Sequence, residues 1–94
     1  MDNQITIALA IANHAVLTMT YDGKVRIIEP HASGLGTGQK PLLRAYQTAP
    51  EAGWRLFDVT KARDLNITSV KFKARLEEGY RLADSAFEKI ISQI

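Results

Sequence analysis

The sequence predicts a mainly β domain, a small five-stranded barrel carrying an N-terminal helix and a short C-terminal helix. Three observations carry this prediction: an Asp22-Gly23 turn between two β-rich runs, three further short apolar runs separated by glycine and proline, and end segments with helical spacing. Ninety-four residues, 46% of them hydrophobic, predict a single domain over 1–94, close to the lower size at which one core suffices without staples. Cysteine is absent, so neither a disulfide framework nor a thiolate metal site is available.

The first element, over residues 1–14, is a helix. Ile5, Ile7, Leu9 and Ile11 alternate as in a strand, but Ile5, Ala8, Leu9 and Ala12 keep helical spacing, and the alanines favour the helix. Asp2 or Asn3 is placed to cap its start, and Asn13-His14 to end it. The barrel strands follow over 16–72. Val16–Tyr21 and Lys24–Glu29 flank Asp22-Gly23, residues that tolerate the positive φ of a type I′ hairpin turn. With Tyr21 opposite Lys24, one hairpin face holds Tyr21, Lys24, Met19, Arg26, Leu17 and Ile28, and the other holds Thr20, Val25, Thr18, Ile27, Val16 and Glu29. Neither face is purely apolar, which calls for a strongly curved sheet.

From His31 to Lys40 the glycines at 34, 36 and 38 predict a flexible connection. It is no phosphate-binding loop of the Walker type, because Gly38 leads into Gln39-Lys40-Pro41 and a strand instead of Lys-Ser/Thr and a helix. Leu42–Gln47 and Trp54–Val59 are the third and fourth strands, joined through Pro50 and Gly53. A polar turn over Thr60–Asp64 precedes a fifth strand, Leu65–Phe72. Residues 80–94 are predicted as a linker and a helix: Ser85 to Glu88 has capping-box spacing, and Phe87, Ile90, Ile91 and Ile94 share one helical face.

The net charge of +2 hides an asymmetry. Between Asp22 and Arg75 there are ten basic residues against five acidic ones, so the middle of the chain favours phosphate-bearing partners. No apolar run is long enough to span a membrane, and Asp2-Asn3-Gln4 provides no positive start for a signal peptide, so a cytoplasmic location is expected.

The order of fragments from Ile5 to Phe72 resembles a WYL domain, a small barrel of Sm-like or SH3-like type. The resemblance rests on the helix, the strand ending at Tyr21, the Asp22-Gly23 turn, Ile28-Glu29-Pro30, Leu43-Arg44-Ala45-Tyr46, Arg55-Leu56-Phe57 and a basic turn at Lys61. It extends over about two-thirds of the chain, and Gly79-Tyr80 with Ala86–Ile91 fits small stand-alone members from bacteria and phages. The family's Trp-Tyr-Leu triplet falls on Pro41-Leu42-Leu43, and its final-turn arginine on Lys61, which keeps the charge without the planar fork. The resemblance implies a regulatory or sensing module of the kind found in transcription regulators and defence proteins, binding nucleic acid or a nucleotide-like ligand.

Arg55 and Lys61 are the leading ligand-binding candidates, with Tyr21, Arg26, Arg44 and Tyr46 as additions. Phosphate oxygens need several converging donors, and an exposed tyrosine can stack on a base. Against this stands the plainer reading that Arg26, Arg44 and Arg55 are cross-strand charges paired with Glu29 or Asp58, and that the tyrosines and Trp54 are packing residues. His14 and His31 have no ligand partners at metal-binding spacing, and His31 reads as a loop cap or a ligand hydrogen bond. Glu77-Glu78 and the serines at 33, 69, 85 and 92 form no catalytic set. The expectation is therefore a non-enzymatic module without cofactor or metal that binds single-stranded nucleic acid or a nucleotide-like anion. The alternative is a protein–protein adaptor or homodimer without a nucleic-acid role.

Overall fold

The computed structural model describes residues 2–80 and 84–94, which form one helix and six antiparallel strands. Helix α1 spans Asn3–Asn13; the Asp2 side chain accepts a hydrogen bond from the Gln4 N–H at 2.7 Å, a cap contributing about 1 kcal/mol. At its other end His14 takes a left-handed conformation (φ 51°) and turns the chain into the sheet. Thr6, Ile7, Ala10 and Ile11 face the core, whereas Ile5 and Leu9 stay exposed.

Strands β1 (Ala15–Tyr21) and β2 (Lys24–Leu35) form the expected hairpin, with Asp22 and Gly23 both at positive φ. Its register, Leu17 opposite Ile28, Met19 opposite Arg26 and Tyr21 opposite Lys24, is the one the turn dictates. Along this inner face the rungs change from apolar to polar, so α1 covers one end and the other end opens to solvent. Leu17, Met19, Ile28 and Leu43 are essentially fully buried, each contributing about 1.5–3 kcal/mol through apolar burial.

β2 is the axis of the fold. Its first half pairs with β1 and its second half, Ala32–Leu35, with β6 (Lys89–Gln93), while β3 (Pro41–Ala49) runs along its other edge. An irregularity between Pro30 and Ala32 marks the bend that makes this possible. β4 (Gly53–Asp58) pairs with β3, a 3-10 turn covers Val59–Lys61, and β5 (Arg63–Lys71) pairs with β1. The order is β4-β3-β2-β1-β5 with β6 on β2, and the sheet does not close.

Two sequence expectations are corrected. The segment His31–Leu35 is strand, not loop: Gly34 is buried under β6, and a Cβ there would collide with the Lys89 carbonyl, so this glycine serves close approach of β6. The predicted C-terminal helix is absent, and its residues form β6, a sixth strand. Instead of opening a helix, the Glu88 N–H donates to the Leu35 carbonyl at 2.7 Å, and Ile90 turns inward while Ile91 stays exposed. A short isolated helix nucleates at a cost, whereas the free edge of β2 satisfies these backbone groups directly. The linker predicted from residue 80 includes 81–83, which lie outside the described residues.

Candidate anion-binding site

The six sequence candidates fall on two sides of the sheet, as the period of two along each strand requires. Tyr21, Arg26 and Arg55 share the inner side at its polar, open end; Arg44 and Tyr46 lie on the outer side. Lys61 ends the 3-10 turn after β4 with its side chain exposed.

On the inner side the organising residue is Gln47, which is 1% exposed although polar. Its Nε2 donates to the Glu51 carbonyl at 2.8 Å, which aims Oε1 inward to accept from Arg26 Nη1 at 3.0 Å. Arg26 Nη2 donates to the Tyr21 carbonyl at 3.2 Å, and its guanidinium lies 5.7 Å from the centre of the Tyr21 ring. The Tyr21 ring packs edge-on against Phe57 at 4.9 Å, and its hydroxyl accepts from the Asp58 N–H at 3.0 Å. Gly53 is the rung partner of Gln47, and Arg55 Nη1 folds back to within 2.7 Å of where a Gly53 Cβ would stand. Arg26 and Arg55 thus flank one rung. Neither has a carboxylate partner among the described residues, and the Arg26 Nε–H is buried without a hydrogen bond. Among the described residues the Arg55 guanidinium donates only to the Trp54 carbonyl, at 3.1 Å.

The outer side is the opposite case. Arg44 is held by Asp84 at 2.6 Å; burial pushes the Asp84 carboxyl up, but hydrogen bonds from Arg44 and the Ala86 N–H bring it below the usual range. Arg75 clamps Glu29 through Nε at 2.6 Å and Nη2 at 3.4 Å, meets Glu78 through Nη1, and lies 3.9 Å from the centre of the Tyr46 ring. These contacts, with Glu29 foremost, raise the already high pKa of Arg75. Lys40 reaches Asp58 at 3.4 Å, and the Asp58 carboxyl is lowered first by the Thr60 hydroxyl and then by Lys40.

His31, read from the sequence as a loop residue, is fully buried in β2 beside Trp54, Phe72 and Tyr80, with ring centroids 4.8, 5.2 and 4.9 Å away. Its Nδ1 is 2.8 Å from the Glu29 carbonyl, and its Nε2 accepts from the Arg75 N–H at 3.1 Å, which assigns the neutral Nδ1–H tautomer. Burial lowers its pKa, against the raising effect of the Glu29 carbonyl. The Tyr80 hydroxyl donates to the His31 carbonyl at 3.3 Å, and burial raises the Tyr80 pKa. Trp54 donates its indole N–H to the Glu78 carbonyl at 2.7 Å, so it anchors the segment after β5 to the outer face.

Beside that segment runs a groove of about 740 Å³, lined by Thr18, Ile27, Val70, Phe72, Lys73 and Leu76 among others. Neither Arg26 nor Arg55 borders it, and the Glu29–Arg75 pair in it is already closed. The groove also carries Lys71 and Lys73, exposed single ammonium groups without an acid partner among the described residues, whereas the two guanidinium forks without a carboxylate lie on the inner side. Sequence reasoning missed Gln47 and the Glu29–Arg75 pair. The parity of Leu43, Ala45 and Gln47 on one strand was the available signal for Gln47; nothing local marks Arg75, whose partner is 46 positions away. Among the described residues no group of three or more acidic or histidine side chains is placed to hold a metal ion, and no helix is long and apolar enough to cross a membrane. Comparison with family models, curated proteins and solved structures finds no match to this chain.

Proposed function

We propose that this protein is a non-enzymatic binding module whose inner mouth, built from Arg26, Arg55 and Tyr21 and supplemented by the exposed Lys61 of the turn after β4, holds a nucleic acid or nucleotide-like anion in a regulatory or sensing role. The observation that carries this reading is the pair of guanidinium groups on the Gln47–Gly53 rung with no carboxylate to neutralise them among the described residues. Two guanidinium groups on one side of the sheet that lack a carboxylate among the described residues gain when an anion binds them. Arg44 and Tyr46 contribute from the outer side only as structural supports, because Asp84 and Arg75 occupy them.

The fold supports the same reading. We take the bent β2, the helix over one end and the 3-10 turn between β4 and β5 as an Sm-like barrel left open between those two strands, in a WYL-like chain acting in the bacterial or phage cytoplasm. The test is fluorescence anisotropy of a labelled short single-stranded oligonucleotide at several salt concentrations. Binding that weakens steeply with salt and is lost in the Arg55→Ala, Lys61→Ala variant, with the melting temperature retained, is expected. Unchanged affinity in that folded variant refutes the assignment. A second reading, a protein–protein adaptor or homodimer, is favoured by exposed Ile5 and Leu9 on α1 and Ile91 on the adjoining β6. Association that persists at high salt is its signature.

A further inference from the structure

We infer that the inner mouth selects a terminal phosphomonoester, as carried by a mononucleotide or by the phosphorylated end of a strand, over the internal phosphodiesters of nucleic acid. The inference rests on the anion-binding reading above and concerns which phosphate is taken.

Three features of the molecule favour a compact dianion over a chain of single charges. The unspent donors are concentrated: Arg26 bonds Gln47 and Arg55 lies over Gly53, the two residues of one rung, and Gln47 and the Tyr21 carbonyl fix Arg26 in place. Two guanidinium charges match the charge of about −2 on a phosphomonoester at neutral pH, whereas an internal diester carries one. Several cations elsewhere are already spent, since Asp58 holds Lys40, Asp84 holds Arg44, and Glu29 with Glu78 holds Arg75, while Lys24, across from Tyr21 on the inner side, adds one exposed ammonium group to the guanidinium pair. Among the described residues no open base-stacking platform borders the patch either. Tyr46 and Trp54 lie on the other face, where Arg75 covers the Tyr46 ring and Trp54 packs edge-on against Tyr46 and stacked on Tyr80; Tyr21 packs against Phe57 and carries Arg26. Binding of a single strand along its length ordinarily combines a cationic groove with aromatic stacking.

The experiment compares two labelled oligonucleotides of the same sequence, one with a 5′-phosphate and one with a 5′-hydroxyl, at low salt and pH 7.5. The phosphorylated strand should bind at least about tenfold more tightly, a difference of about 1.4 kcal/mol. That preference should fade below about pH 6, where the monoester takes up a proton. Arg55→Gln, which breaks one contact to an adjacent backbone carbonyl, should erase it without unfolding the chain, as melting would report. Competition separates the two sources: displacement by a nucleoside monophosphate at matching concentration points to a free nucleotide, and displacement only by phosphorylated strands points to a strand end. Equal affinity for the two strands overturns this inference but leaves anion binding intact. Failure of both strands and of the mononucleotide to bind removes both readings.

Discussion

Arg44 and Arg55 lie on neighbouring strands only one rung apart, yet the molecule uses them in opposite ways. Arg55 stands across from Ala45 on the inner side without an acid, and Arg44 stands across from Leu56 on the outer side with Asp84 against it. The same division separates Arg26 from Arg75. Strand parity decides the side, and the supply of carboxylates decides the role: outer arginines bind segments of the chain together, whereas inner ones keep donors available for another molecule. Charge counts cannot make this distinction, because the ten basic residues of the central region include both kinds.

The largest effect should come from cutting an outer arginine. Arg75→Ala leaves Glu29, 8% exposed, without its cation, and should cost about 3 kcal/mol in denaturant melts. A cost below about 0.5 kcal/mol would erase the contrast between the two sides. Arg44→Ala should cost less, about 1–2 kcal/mol, because Asp84 keeps the hydrogen bond from the Ala86 N–H. Next comes pH. His31 has a lowered pKa when folded, so the unfolded chain binds its proton more readily and stability falls as pH drops below the ordinary histidine value of about 6.5. The loss stops growing once pH passes the folded value. His31→Gln should flatten the stability profile between about pH 6.5 and 5, a window above the lowered carboxyls of Asp58 and Asp84. An unaltered slope would mean that another group carries the acid sensitivity. The smallest change belongs to the inner side: Arg55→Gln should alter stability by less than about 0.5 kcal/mol while erasing the preference for the phosphorylated strand. Calorimetry alongside the anisotropy titration separates those two outcomes.

Much of the fold was legible because local chemistry specified it. The Asp22-Gly23 turn fixes the register of β1 and β2, and that register correctly set Arg26 beside Met19. Asp2 caps α1 as its side-chain chemistry suggests. The failures share a cause, namely distant partners. Gly34 reads as a turn residue until β6 arrives against it from the far end of the chain. Phe87, Ile90 and Ile94 fit helical spacing, but Ile90 and Ile94 also fit a period of two, and only the vacant edge of β2 decides between them. The candidate site was half legible. Tyr21, Arg26 and Arg55 do share a face, but nothing near Arg44 in the sequence announces Asp84, forty positions on.

The division of β2 between two partners along one edge has a kinetic consequence. β1 precedes it across a two-residue turn, whereas β6 must return from roughly sixty positions away, so closing that second contact carries a far larger loop entropy. The hairpin should therefore acquire protection first and β6 last, which pulse-labelled amide exchange during refolding would reveal as late protection at Ile90 and Ser92. Until that final strand arrives, the aromatic cluster around His31 lacks part of its cover, making this interval the one in which the chain is most prone to self-association.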